Sequence, residues 1–103
     1  MNAYIAIPQD GVTDFCRRWQ IVELALFGSV LRDDFRPDSD VDVLVSFHPH
    51  AQHTLFDMVH MQEELERLFG RKVDLVSRRG IETSRNHIRR RAILESAEVV
   101  YGS

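Results

Sequence analysis

A strand that begins with two aspartates constrains this chain more than any other feature. Side chains alternate between the two faces of a strand, and in "DVDVLVSF", residues 40–47, one face is entirely apolar: Val41, Val43, Val45 and Phe47. The other face begins with Asp40 and Asp42. A half-buried carboxylate is costly unless a cation satisfies it. We therefore expect a sheet protein with a cation site at the start of this strand.

Hydrophobic periodicity predicts seven elements in the order α-β-α-β-α-β-α. Helices are indicated where apolar residues recur every three or four positions, and strands where short runs are apolar or alternate. In chain order the predicted elements are a helix after Pro8, strand 21–27, helix 29–35, strand 40–47, helix 54–70, strand 72–77 and helix 84–97. An extended tail follows. The prediction is one α/β domain over residues 1–103, with a small sheet covered by helices.

Capping residues predict the start of the first helix and both ends of the third. Asp10 is the predicted N-cap of the first helix. Thr54 and Asp57 form a capping-box pattern at the start of the third helix, and Gly70 is its predicted stop. The apolar stripe of this third helix is predicted to pack in the core: Leu55, Met58, Val59, Met61, Leu65, Leu68 and Phe69. The alternative is an exposed docking surface made by Met58 and Met61 with Phe56 and Phe69.

Charge and composition exclude several classes of protein. The net charge is −3, with −7 on residues 1–70 and +4 on residues 71–103. This balance argues against a duplex DNA sheath, although the basic third can attract phosphate or an acidic protein. The sequence has neither a signal-peptide pattern nor a run long enough to cross a bilayer. Cys16 is the single cysteine, so we expect a buried thiol and a cytoplasmic location.

A third carboxylate lies in the next predicted strand. Asp74 sits between Val73 and Leu75, where a lone acid has little structural reason to be. If the two strands are neighbours, Asp74 converges on Asp40 and Asp42. Oxygen ligands of this kind suit Mg²⁺, and two such ions support phosphoryl or nucleotidyl transfer. Asp74 can then bind metal and take a proton from an attacking hydroxyl.

A Gly-Ser pair at the end of strand 21–27 supplies the complementary part. Gly28 allows a close backbone approach to a ligand, and Ser29 at a helix start offers its hydroxyl and backbone N–H groups to phosphate. Arg32 lies on the same helical face and adds a positive charge for a triphosphate. No Walker-type sequence occurs, which argues against a P-loop NTPase.

Each of these signals also has an ordinary structural interpretation. A Gly-Ser pair before a helix is often only a cap. The D-x-D pattern also occurs in surface turns and in metal-dependent glycosyl transferases. Asp74 can pair with Lys72, Arg71 or another arginine. Taken together, however, the signals fit one chemistry that none of these interpretations explains.

Two further clusters are interpreted as structural. The histidines at 48, 50 and 53 surround a proline, so a solvated loop is favoured over a transition-metal site. Consecutive arginines on a helix point in different directions, so most are expected on solvated faces or in ion pairs. One or two of them can reach a nucleotide or a partner: Arg78, Arg79, Arg85, Arg89, Arg90 and Arg91.

The glycine-serine pair, ten residues and then "DVD" resemble the G-S-x10-D-x-D motif of the nucleotidyltransferase superfamily, to which the palm of DNA polymerase β belongs. The stretches "GSVLRDDFRPDSDVDVLVSF", "KVDLVS" and "IRRRAILESAEVVY" are similar to the minimal nucleotidyltransferase group of prokaryotes. The likeness covers residues 20–101. It implies a polymerase β-like fold with a small mixed sheet.

The resemblance also implies a function. Such proteins are commonly encoded beside a helical HEPN-domain partner, for which they serve as antitoxin, and some transfer AMP from ATP to a tyrosine of that partner. On this likeness Gly28 and Ser29 hold the triphosphate, Asp40 and Asp42 hold two Mg²⁺ ions, and Asp74 is the third carboxylate. A hetero-oligomer with the partner is then possible, and no duplex DNA or membrane is involved.

Two alternatives stay open at this point. The first is a non-catalytic antitoxin or nucleotide-binding module that neutralises its partner by docking alone. The second is a small-molecule acceptor such as an aminoglycoside, for which 103 residues leave little room. A templated polymerase is disfavoured, because nothing in the chain can supply fingers or a thumb.

Overall fold

The computed structural model describes residues 7–28 and 40–102. Alternating helices and strands confirm the predicted α/β class. The elements are α1 (Gln9–Arg18), β1 (Ile21–Phe27), β2 (Val41–Phe47), α2 (Leu55–Phe69), β3 (Val73–Ser77), α3 (Arg78–Glu82), α4 (His87–Ser96) and β4 (Glu98–Tyr101). The helix predicted over 29–35 lies outside the described residues.

The four strands form one mixed sheet in the order β3-β2-β1-β4. Strand β1 is antiparallel to both β2 and β4, whereas β2 and β3 are parallel. The parallel pair needs a crossover, which α2 provides between the two strands. Parallel pairing means that β2 and β3 both start at the same end of the sheet. Residues at the starts of these strands are therefore neighbours.

Each face of the sheet is covered by a different pair of helices. Strand residues with side chains on the first face pack against α1 and α2, and this larger cluster includes Phe15, Leu26, Val43 and Leu65. The second face packs against α3 and α4 in a smaller cluster: Ala25, Phe27, Leu44, Ile81 and Ile93. The alternation predicted for β2 is confirmed, since its apolar face is the one turned to the larger cluster.

Both ends of α2 follow the predicted capping chemistry. The Thr54 hydroxyl accepts a hydrogen bond from the Asp57 backbone N–H at 3.2 Å, and the Asp57 carboxylate accepts one from the Thr54 N–H at 3.0 Å. The bond from the Thr54 backbone lowers the pKa of Asp57. Gly70 ends the helix in the left-handed conformation, with φ 68°. The prediction of these two helix ends is confirmed.

The order of elements differs from the prediction at the C-terminal end. A short helix, α3, follows β3 directly, and the extended tail is a fourth strand, β4. The last predicted helix begins at His87 rather than residue 84, because Asn86 caps it by accepting a hydrogen bond from the Arg89 N–H. The prediction of a strand over 72–77 is confirmed except for its first residue.

Two predictions about helix positions are wrong. Pro8 is the N-cap of α1, and Asp10 lies inside the first turn, where its charge still favours the helix dipole. In α2, Leu55 and Val59 do not pack in the core. Their side chains are 84% and 54% exposed, because they lie to one side of the face of α2 that packs on the core, which Met58, Met61 and Leu65 form.

The single thiol is buried, as predicted. Cys16 is 0% exposed in the larger core cluster, and burial raises the pKa of its thiol to about 12. Burial keeps the thiol protonated and poorly reactive at neutral pH. Among the described helices, none is both long enough and apolar enough to cross a membrane.

Candidate active site

Asp42 and Asp74 lie directly opposite each other at the start of the two parallel strands. They are register partners in β2 and β3, and on its other side Asp42 is paired with Phe27 of β1. Phe27 belongs to the core cluster on the α3 and α4 face, so both carboxylates project from that face. Asp42 is half-buried and Asp74 is exposed. The condition set by the sequence, that the two strands be neighbours, is met.

Asp40 stands one residue before β2 and is exposed. The start of the strand is fixed by a hydrogen bond of 2.9 Å from the Val41 N–H to the Lys72 carbonyl. Alternation along the chain assigns Asp40 to the same face as Asp42. The three predicted carboxylates thus share one end of the sheet.

Gly28 presses its backbone against the Asp42 carboxylate. It follows β1 with φ 76°, a left-handed conformation that favours glycine. A Cβ atom at this position would collide with Asp42 Oδ2 and would lie 3.2 Å from its Cγ. The position therefore requires glycine for two separate reasons. Ser29 and Arg32, the other predicted ligands of the triphosphate, lie outside the described residues.

The carboxylates suit a cation that is shared with a ligand. Within residues 7–28 and 40–102, no three His, Cys, Asp or Glu side chains form a ready-made metal site. Mg²⁺ is usually held by one or two protein carboxylates, with water and substrate phosphates as its other ligands. The facing pair of Asp42 and Asp74 fits this requirement.

Replacing Gly28 with alanine is expected to reduce activity at this site about tenfold or more and to destabilise the fold by about 1–3 kcal/mol. The added methyl group must displace the Asp42 carboxylate, and alanine is strained at φ 76°. Gly70→Ala is the matched control: its φ is 68°, yet nothing lies within 4 Å of the added Cβ. The control should lose stability and keep activity. Equal activity in the two variants would contradict a role for the close approach at Gly28.

A cleft of mixed charge at the end of α2 was not singled out from the sequence. It has a volume of about 550 Å³ and is lined by Arg67, Arg71 and Lys72 together with Glu63, Glu66 and Gly70. The Lys72 carbonyl is the acceptor that fixes the start of β2. The signal in the sequence was the run "GRK" at 70–72. Because Gly70 ends α2, Arg71 and Lys72 lie just before β3 begins.

The histidine loop is only partly solvated. His48 and His50 are exposed, as predicted. His53 is half-buried: its Nε2 atom lies 2.8 Å from the Trp19 carbonyl oxygen and its ring packs against Phe47. For His53 the prediction of a solvated loop residue is wrong, because the ring fills the gap between the end of α1 and the end of β2.

The prediction that some arginines form ion pairs is confirmed. Arg78 contacts Glu23 at 3.3 Å and Glu82 at 2.9 Å, and thereby links α3 to β1. Arg91 pairs with Glu95 at 2.9 Å. The Arg78–Glu23 pair joins two elements, whereas Arg78–Glu82 lies within α3 and Arg91–Glu95 lies within α4.

Known proteins resemble this chain in both sequence and structure. A family model described as the nucleotidyltransferase domain matches residues 11–100. The protein adenylyltransferase MntA of Thermococcus cleftensis is 36% identical over 66 residues, which make up 64% of this chain and 65% of that protein. The matched region is less than two thirds of the length of such curated relatives.

Solved structures share the fold. One that is provisionally assigned as a minimal nucleotidyltransferase has 37% sequence identity and a TM-score of 0.67, over 87% of this chain and 86% of that one. A complex of a tri-AMPylated Shewanella oneidensis HEPN toxin with its MNT antitoxin gives 18% identity and a TM-score of 0.63, over 92% of this chain and 70% of the matched one. At that identity only the fold is shared. By its match over residues 11–100, the chain belongs to the nucleotidyltransferase domain family.

Proposed function

We propose that this protein is a Mg²⁺-dependent adenylyltransferase that transfers AMP from ATP to a hydroxyl group of a partner protein. The partner is a HEPN-domain protein, and the chain acts as its antitoxin. The observation that carries the proposal is the facing pair of Asp42 and Asp74, with the Gly28 backbone pressed against Asp42. Two carboxylates in register on one sheet face repel each other, and a divalent cation shared between them would remove that repulsion.

In this proposal Asp40, Asp42 and Asp74 would hold two Mg²⁺ ions, which would neutralise the negative charge of the ATP phosphates. Gly28, Ser29 and Arg32 hold the triphosphate. The exposed Asp74 accepts the proton of the partner's hydroxyl. The hydroxyl oxygen bonds to the α-phosphorus, the bond from that phosphorus to the bridging oxygen breaks, and pyrophosphate leaves.

Two similarities support the choice of reaction and partner. The curated relative with 36% identity is named a protein adenylyltransferase. A structural neighbour that shares the fold is an MNT antitoxin in complex with an AMPylated HEPN toxin. Adenylyl transfer to a partner of that kind therefore fits both this chain's family and its carboxylate pair.

The proposal is tested by incubating the purified chain with ATP, Mg²⁺ and the protein encoded by the adjacent gene. Intact-mass spectrometry should show the partner gaining the mass of one or more AMP groups. Omitting Mg²⁺ should stop the gain. A partner that binds stably and is neutralised without any mass change would contradict the enzymatic proposal and favour docking alone.

A further inference from the structure

A second concave surface lies at the opposite end of the sheet from the carboxylates. It is a groove of about 470 Å³ between the start of α2, the end of β2 and the start of α3, and we call it the α2 groove. Its floor is apolar, with Val45, Phe47 and Met58. The groove extends from Val45, three positions after Asp42, to His48, six positions after it, which is about 20 Å along an extended chain.

The α2 groove also opens on the other face of the sheet. Val45, Phe47 and Met58 belong to or pack against the core cluster under α1 and α2, whereas Asp42 and Asp74 project from the α3 and α4 face. A ligand in the α2 groove therefore leaves the carboxylate end of the sheet accessible.

The helix beside the α2 groove exposes large apolar side chains. Leu55 is 84% exposed, Phe56 79% and Val59 54%, all within the first two turns of α2. Of these, Leu55 lines the groove, whereas Phe56 and Val59 are its neighbours on α2. Exposed apolar side chains clustered next to an apolar groove make the α2 groove a candidate docking surface.

The charge of the α2 groove indicates what it binds. Among the described residues, its polar lining is formed by Arg79, Ser77, His48 and His53, without a carboxylate, although His53 Nδ1 lies 3.6 Å from the Asp57 carboxylate at the start of α2. The Arg79 side chain is exposed and has no ion pair within the part of the chain that the structure describes. A ligand with a carboxylate next to an apolar side chain would complement both: the carboxylate would pair with Arg79, and the apolar side chain would contact the floor.

The same charges argue against a second copy of this chain as the occupant. In a two-fold contact the same surface meets itself. In such a contact, Arg79 would meet no carboxylate among the described residues that line the facing groove. A different protein is the better match.

We infer that the α2 groove docks a segment of a partner protein that presents a large apolar side chain close to an aspartate or glutamate. The inference rests on the proposed function only in identifying this partner with the protein that accepts AMP. Docking at one end of the sheet while the other stays open would hold an acceptor at the enzyme without obstructing the carboxylates.

A phage-displayed library of random 16-residue peptides, selected on the intact chain, tests the inference. Enriched peptides should combine an apolar anchor with acidic residues. Arg79→Glu and Leu55→Glu should each weaken binding of a selected peptide about tenfold or more in fluorescence anisotropy. Arg89→Glu, a charge reversal at an exposed arginine of α4 outside the groove, is the matched control and should leave binding unchanged.

Several results would overturn the inference: no enriched peptide, a consensus without carboxylates, or equal affinities for Arg79→Glu and Arg89→Glu. If sedimentation equilibrium shows that the chain is a dimer, and Leu55→Glu converts it to a monomer, the surface binds a second copy of this chain instead. Asp42→Asn should keep peptide binding, and Leu55→Glu should keep nucleotide binding. Loss of peptide binding at the groove and loss of nucleotide binding at the carboxylates are therefore measured separately.

Discussion

Asp42→Asn is expected to reduce AMP transfer to the partner at least about 10³-fold. The substitution keeps the shape of the side chain and removes the charge that faces Asp74 across β2 and β3. With one carboxylate lost, the site would bind a divalent cation less tightly. The negative charge of the triphosphate would then be poorly neutralised. The rate is measured from the fraction of partner that carries AMP, by mass spectrometry over time.

Asp10→Asn is the control for this loss. Asp10 is an exposed carboxylate in the first turn of α1, which covers the opposite face of the sheet. Its neutralisation should leave the transfer rate within about twofold of the parent rate, because surface charges beyond about 10 Å are screened. Transfer that survives Asp42→Asn at the level of this control would remove Asp42 from the mechanism.

Phe15→Ala is expected to destabilise the fold by about 3–5 kcal/mol. Phe15 is 0% exposed and lies in the core cluster between α1 and the sheet. Truncation removes buried apolar area and leaves a cavity that the two helices and the strands cannot fully close. Because small domains have only about 5–15 kcal/mol of stability, much of it would be lost.

The loss of stability is measured by urea denaturation monitored by circular dichroism, in which the urea concentration at the unfolding midpoint should fall. Phe56→Ala provides the same substitution at a site that is 79% exposed, and its expected effect is within about 0.5 kcal/mol. Equal destabilisation by the two substitutions would mean that the first turns of α2 are covered in solution.

The sequence predicted those parts of the fold whose signals are local. Strands β1 and β2 were located by their apolar and alternating runs, and the ends of α2 by the capping box at Thr54 and the glycine at position 70. These signals depend on residues a few positions apart. The structure therefore reproduces them closely.

Elements that depend on distant neighbours were harder to predict. The four residues of β4 form a strand because they pair with β1, more than seventy positions earlier in the chain. Helix α3 has five residues, too few to show a period, and is set by the Ser77 hydroxyl accepting a hydrogen bond from the Gly80 N–H. The exposure of Leu55, by contrast, follows from helical spacing, because at 3.6 residues per turn it lies to one side of the stripe formed by Met58, Met61 and Leu65.

The candidate site shows the same division. Facing positions for Asp42 and Asp74 were predicted on the condition that their strands are adjacent, and periodicity alone cannot establish adjacency. The contact between Gly28 and the Asp42 carboxylate required the register of β1 on β2. The α2 groove was missed because it brings together two stretches that are distant in the chain, 45–58 and 77–79.

The central claim is that Asp42 and Asp74 together hold a divalent cation with a nucleotide. Electron paramagnetic resonance of Mn²⁺, titrated into the intact chain with a non-hydrolysable ATP analogue, measures that binding directly. Asp74→Asn should weaken Mn²⁺ binding about tenfold or more relative to the parent chain and to Asp10→Asn. Equal Mn²⁺ affinity in Asp74→Asn and the parent chain would contradict the claim.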